Sequence, residues 1–242
     1  MEILNTRCNN PTFEEALQLA AGLLEHDSKA NIFFLNIDCL YKASQDAEYR
    51  NLLNTASLVL PDGIGIDLAA RFSGTKVKAN CNGTDFSPVL MRHAAEKGYK
   101  VFLLGGTEGV ATRAAEKLSE LFPKLKVTGA RSGYFDSDEE VIEQINRSGA
   151  DILLVAMGVP LQEKWIGRHR EKLKPRLCMG VGALLDFWSG RMRRAPLWIR
   201  RTRSEWIWRI FLEPGRLWRR YVNDAWFLFQ VIKQRLKQRG KH

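Results

Sequence analysis

Apolar and polar positions divide the chain into short apolar runs that alternate with stretches of three-and-four spacing. Residues 13–25 set Phe13, Ala16, Leu17, Ala20, Leu23 and Leu24 on one helical face, with Pro11-Thr12 as the start signal and acids in the first turn. Asn31–Ile37 predicts a buried strand, Asp38–Leu53 a helix, and Ser57–Leu60 a second strand that stops at Pro61, which has no N–H for a ladder. A helix over Ile64–Phe72 follows, then an irregular stretch from Ser73 to Thr84 and a helix over Asp85–Lys97 capped by Thr84 or Asp85. Lys100–Leu104 predicts a strand, Val110–Leu121 a helix, Leu125–Thr128 a strand, and Gly133-Tyr134-Phe135 a turn. Ser137–Asn146 predicts a helix, Asp151–Met157 a strand, Gln162–Lys172 a helix and Leu177–Val181 a strand. Strands and helices alternating at this length predict an α/β domain, Rossmann-like, with a mainly parallel sheet and helices on both faces.

The pattern changes near Arg191. From Leu217 onward Leu217, Trp218, Tyr221, Val222, Ala225, Trp226, Phe229, Ile232 and Leu236 keep helical spacing, while Arg219, Arg220, Asn223, Lys233 and Lys237 fill the other positions. Residues 191–242 hold 15 Lys or Arg against three acids, and five of the seven tryptophans. The chain's net charge of +10 therefore resides in this tail, and the body is close to neutral. The expected division is an α/β domain over 1–190 and a cationic, Trp-rich, amphipathic helical appendage over 191–242. Such a helix suits the interface of an anionic membrane, or docks on the body with its arginines solvated; the two are compatible. Nucleic acid also attracts Arg with Trp, but no nucleic-acid module is present in the sequence.

The four cysteines are scattered without the spacing of a zinc or redox motif, and read as free thiols. The first residues lack a basic segment followed by an apolar core, and no apolar run approaches the ~20 residues that span a bilayer.

Candidate chemistry gathers at the ends of the predicted strands, where an open α/β sheet binds its ligands. Asp62 follows Leu58-Val59-Leu60-Pro61 and precedes Gly63 and Gly65, so it either enters a site or closes a turn and caps the next helix. Gly105-Gly106-Thr107-Glu108-Gly109 joins a strand to a helix and could offer backbone amides to a phosphate, or be a tight turn without a ligand. It is neither the G-x-G-x-x-G fingerprint nor a P-loop. Gly158 and Gln162 repeat the strand–turn–helix layout, with Gln162 placed to read a base or a sugar hydroxyl; Asn36 has the same placement at the first strand. Asp136-Ser137-Asp138 resembles a cation-binding Asp-x-Asp, yet it opens a helix and is followed by two more acids, as a helix cap would be. His26, His93 and His169 lack ligand spacing.

Taken in order, these segments resemble the WecG/TagA/CpsF glycosyltransferases (glycosyltransferase family 26). The segments are L-P-D-G-I-G-I (60–66), N-G-T-D-F (82–86), V-F-L-L-G-G-T-E-G-V (101–110), G-Y-F (133–135) and G-V-P-L-Q-E-K-W (158–165). They continue with G-V-G-A-L-L-D-F-W-S-G (180–190), R-A-P (194–196) and E-W-I-W-R-I-F-L-E-P-G-R-L-W-R-R-Y (205–221). The resemblance implies inverting, metal-independent transfer of a sugar from a UDP-sugar to a polyprenyl-diphosphate-linked acceptor. The sugar would be of N-acetylmannosamine type, its uronic acid, or glucose. The place would be the inner face of the cell membrane, in cell-surface polysaccharide assembly, with no cofactor and no nucleic acid. It implies that Asp62 is the catalytic base, and that Gly63, Asn82, Thr84, Asp85 and Tyr134 join Asn36, Gly105, Gly106, Gly158 and Gln162 in holding substrate. It further implies that Arg194, Arg209, Arg216, Arg219 and Arg220 close over the leaving diphosphate, so that one tail serves as membrane anchor and lid. The sequence departs from the family pattern at Phe34, where many members carry threonine, at Asn80-Cys81, where they carry Arg-Val, and at Ser204, where leucine is usual. Two rival readings are a non-enzymatic protein acting on a membrane surface or nucleic acid through the basic tail, and a metal-dependent transferase using Asp136 and Asp138. The sequence leaves open whether the chain forms a homo-oligomer.

Overall fold

A computed structural model describes residues 1–26 and 29–196, and beyond them 199, 208, 215, 222–224, 226, 227 and 229. Within the described residues, six strands form one fully parallel sheet: β3 (Ala30–Leu35), β4 (Leu58–Pro61), β5 (Lys100–Gly105), β6 (Lys126–Arg131), β7 (Ile152–Ala156) and β8 (Leu177–Gly180), in the order β4-β3-β8-β7-β5-β6. The first two strands, β1 (Glu2–Ile3) and β2 (Thr6–Arg7), make a separate antiparallel hairpin.

Apolar alternation explains how the sheet is covered. Phe33, Leu35, Val59, Phe102, Leu104, Leu153, Val155 and Cys178 point to one face, and Ile32, Phe34, Leu58, Leu60, Val101, Leu103, Ile152, Leu154, Leu177 and Met179 to the other. The first face is covered by the hairpin, α2 (Ile37–Gln45), α3 (Ala47–Thr55), α4 (Ile64–Phe72), α7 (Asp138–Ser148) and α8 (Leu161–His169). The second is covered by α1 (Phe13–Glu25), α5 (Gly83–Lys97), α6 (Val110–Leu121) and α9 (Leu184–Trp188). This is the predicted doubly covered α/β architecture.

Several boundaries differ from the sequence reading, each for a local reason. The single helix expected over Asp38–Leu53 is two, because Asp46 leaves helical geometry (φ −126°, ψ 105°) and its carboxylate accepts from Tyr49 N–H at 3.0 Å, capping α3. The break turns Tyr49 and Leu53 into the core. α5 is capped by Asn82, two to three residues before the expected caps. Pro61 belongs to β4, which is tolerated because β4 is an edge strand. The hairpin escaped notice because its two-residue turn is Leu4-Asn5 (φ 49° and 61°), and leucine is an unusual choice at positive φ. α9 is too short to carry a periodicity signal.

Since the strands are parallel, all six carboxyl ends share one edge. The connection from β5 to β6 leaves that edge in one direction and the connection from β7 to β8 in the other, so the sheet has its topological switch between β5 and β7.

Candidate active site

Asp62 stands immediately beyond β4, and its backbone position is fixed on two sides. Its N–H donates to Leu35 O at 2.8 Å, continuing the β4–β3 ladder, and the next amide, Gly63 N–H, donates to Asn80 Oδ1 at 2.8 Å. Cys81 N–H in turn donates to Pro61 O at 2.9 Å. Gly63 has φ 91°, which glycine alone adopts without strain, and it lets the chain turn from strand into α4. The N-cap of α4 is Gly63, which has no side chain to close the helix end. Burial pushes the Cys81 thiol up to about 11, with the adjacent Asp62 carboxylate acting in the same direction. Asn36, at the end of β3, caps α2 by accepting from Cys39 N–H at 3.0 Å.

The neighbouring wall is the first turn of α5. Asn82 Oδ1 accepts from Asp85 N–H at 2.9 Å and from Thr84 Oγ1 at 2.7 Å, and Asn82 Nδ2 donates to Asp85 Oδ2 at 2.8 Å. Pro88 lies inside this helix and has no N–H to give the carbonyl four residues back, which is Thr84 O. Arg194 takes that carbonyl at 3.3 Å and binds Asp85 Oδ1 at 2.7 Å. One residue of the tail is thus pinned beside the segment that holds Asp62. Phe34, where the family pattern has threonine, fills the space beneath this turn, within 3.3 Å of where a Cβ on Gly83 would be.

On the other side of the switch, Gly105 and Gly106 allow close backbone contact. A Cβ on Gly105 would lie 2.3 Å from Ala156 O, and Gly106 N–H donates to that carbonyl at 3.0 Å. Gly133 N–H and Ser132 Oγ both donate to Gly106 O, and Tyr134 stands 77 % exposed at the lip. The glycine turn is therefore at least a packing device, with the Gly106 amide already engaged. Arg191, read in the sequence only as the boundary of the tail, donates to Thr107 Oγ1 at 3.2 Å and to Asp186 Oδ1 at 3.1 Å. Its significance depends on a contact 84 residues away in the chain, which no local motif records.

Gly158 begins the turn into α8 with φ 81°. Gln162 is 2 % exposed: its Oε1 accepts from Gly182 N–H at 2.9 Å and its Nε2 donates to Glu163 Oε1 at 2.7 Å. Asp138, half of the proposed cation pair, accepts from Trp165 Nε1 at 2.6 Å and lies 3.1 Å from His169 Nε2, while Ser137 caps α7. Among the described residues, no group of three or more His, Cys, Asp or Glu is gathered as a metal site.

Asn36, Asp62, Gly63, Asn82, Thr84, Asp85, Gly105, Gly106, Tyr134, Gly158, Gln162 and Arg194 thus all lie at the carboxyl edge of the sheet. Arg209, Arg216, Arg219 and Arg220 lie outside the described residues. Of the tail, Phe227 is buried with its ring 5.3 Å from that of Tyr41 on α2, while Val222, Trp226 and Phe229 are exposed and the last two are stacked at 5.8 Å. No helix among the described residues is long and apolar enough to cross a membrane.

The chain matches the Glycosyl transferase WecG/TagA/CpsF family over residues 1–241. It is 31 % identical over 205 residues to the N-acetylglucosaminyldiphosphoundecaprenol N-acetyl-beta-D-mannosaminyltransferase of Bacillus subtilis, covering 85 % of this chain and 80 % of the relative. A protein of the same name from Staphylococcus aureus is 28 % identical over 240 residues, 98 % of this chain and 94 % of the relative. The reading as a non-enzymatic surface-binding protein gives way: the chain belongs to the WecG/TagA/CpsF family and is a glycosyltransferase.

Proposed function

We propose that this enzyme moves a sugar from a UDP-sugar to a polyprenyl-diphosphate-linked acceptor, with inversion and without a metal ion. The relatives' names supply the class of acceptor and suggest an N-acetylmannosamine-type donor. The observation that carries the mechanism is the fixed placement of Asp62 at the crevice edge, beside an α5 turn on which an arginine of the tail already rests.

In this reading the acceptor hydroxyl oxygen attacks the anomeric carbon as the bond to UDP breaks, and its proton passes to the Asp62 carboxylate. UDP departs with the added negative charge on its diphosphate. Arg194 and Arg191 are two described cations at this edge suited to that role, and guanidinium groups match phosphate oxygens well. Both are paired with carboxylates here, so donor binding would exchange Asp85 and Asp186 for the diphosphate. The exposed stripe Val222, Trp226 and Phe229, opposite the docked Phe227, is the surface we assign to the membrane that carries the acceptor.

The test is transfer from UDP-N-acetylmannosamine to a short-chain N-acetylglucosaminyl-diphosphate lipid. Asp62→Asn is expected to fold normally and to lose on the order of 100-fold or more in kcat, the scale of a general base. Full activity in that variant overturns the base assignment. EDTA is expected to leave the wild-type rate unchanged; activity abolished by EDTA and restored by manganese restores the case for Asp136 and Asp138.

A further inference from the structure

Behind the crevice, beneath the end of β8, lies a polar group that the chemistry above does not use. Glu163 is fully buried in the first turn of α8. Its Oε1 accepts from Gln162 Nε2, and Gln162 Oε1 accepts from the Gly182 N–H in the turn between β8 and α9. Glu163 Oε2 is buried with no hydrogen-bond partner among the described residues. A Cβ on Gly180 would come within 2.9 Å of Gln162 Nε2 and 3.1 Å of Glu163 Oε1, so glycine is what lets the two side chains lie flat against the strand. The titratable groups facing Glu163 are Asp38, Cys39 and Lys42 from α2 and Tyr49 from α3. Lys42 is committed elsewhere: it donates to Asp38 Oδ2 and to Val159 O, both at 2.9 Å.

We propose that Glu163 is a positioning residue for donor binding: acting through Gln162 it ties the first turn of α8 to the Gly182 turn, and an anionic diphosphate bound at this edge of the sheet favours its protonated form. The inference rests on the UDP-sugar reading above. Burial raises the Glu163 carboxyl to about 7, against the lowering effects of Gln162, its own backbone amide and Lys42, and Asp38 adds to the rise. An ionised carboxylate here would be a buried charge whose field, weakly screened by the fold, opposes the incoming diphosphate. Linkage works in both directions: an anion that binds better to the neutral form must draw a proton onto Glu163, and its affinity must fall as pH rises through about 7.

The experiment is calorimetric titration of the full chain with UDP-N-acetylmannosamine, without acceptor, at about pH 6 and about pH 8 and in two buffers of different ionisation heat. The diphosphate of this probe is esterified at both ends and has no group titrating near neutrality, so any proton taken up belongs to the protein. The wild type is expected to take up a fraction of a proton near pH 7 and to bind about fivefold more weakly at the higher pH. Glu163→Gln keeps an oxygen for the Gln162 amide and cannot ionise, so it is expected to show neither effect while binding at the lower pH like the wild type. Proton uptake measured on the wild type alone keeps the inference testable if that variant does not fold. Absence of uptake by the wild type, or uptake that persists in Glu163→Gln, overturns it. If the wild type does not bind the probe at all, the donor reading fails first and takes this inference with it.

Discussion

Pro88 and Arg194 show how one residue's chemistry sets another's place. By withholding an N–H, Pro88 leaves Thr84 O open inside a helix, and Arg194 reaches back 110 residues to donate to it. Its guanidinium is then held at the wall of the crevice by Asp85, side by side with the Asn80–Cys81 segment that fixes Asp62. Arg194→Ala is expected to raise the KM for the UDP-sugar about tenfold, the loss of one charge-assisted contact, with a small effect on melting temperature. Steady-state kinetics against donor, paired with a thermal melt, checks both. At this scale the place of Asp62 at a strand end was legible, because Pro-Asp-Gly follows an apolar run, whereas its role as base came only from the family resemblance. Arg191 and Glu163 were not legible. Arg191 acquires meaning only from Thr107, and Glu163 looks like any first-turn acid until its burial is known.

Among the elements, the N-terminus of α5 joins stability to the site. Asn82 satisfies one helix amide and organises Thr84 and Asp85, so Asn82→Ala is expected to cost about 1 kcal/mol in chemical denaturation. The same change should loosen Asp85 and with it Arg194, so the donor KM should rise as well; a stability loss with unchanged KM would separate the cap from the site. The helix cap was misplaced by two to three residues in the sequence because Asn82, Thr84 and Asp85 are all good capping residues, and only geometry selects among them. A similar competition broke the expected long second helix: Asp46 caps more favourably than it continues, and periodicity across the break stays close enough to helical to hide it.

For the whole molecule, the alternation of strands and helices made the doubly covered parallel sheet legible, since apolar strands flanked by helical periods have few other solutions. Strand order was not, because each pairing joins residues far apart in sequence. The β3–β8 pair, for example, matches Ala30 with Leu177. The division into a body and a tail is an expectation from charge and tryptophan placement, and one described residue beyond the body, Phe227, packs its ring against Tyr41 on α2. Removing residues 191–242 is expected to leave a folded body with the far-ultraviolet circular dichroism of an α/β protein, without binding to anionic liposomes and without transfer. A truncated protein that still glycosylates a lipid acceptor would refute the tail's role in catalysis.

The edge strand β4 carries a last consequence. Its outward backbone groups are all spoken for: Asn9 N–H donates to Val59 O at 2.8 Å, Asn9 Oδ1 accepts from Val59 N–H at 2.8 Å, Cys81 N–H takes Pro61 O, and Pro61 has no N–H to offer. An asparagine thus imitates the next strand of a sheet for one residue and then departs. A parallel sheet that must work in a crowded cell, among many copies of itself, cannot leave such a template open to strand addition. The short segment around Asn9 therefore leaves no outward backbone group of β4 open to strand addition, and this edge, which ends in the proposed catalytic aspartate, is reached from its carboxyl end.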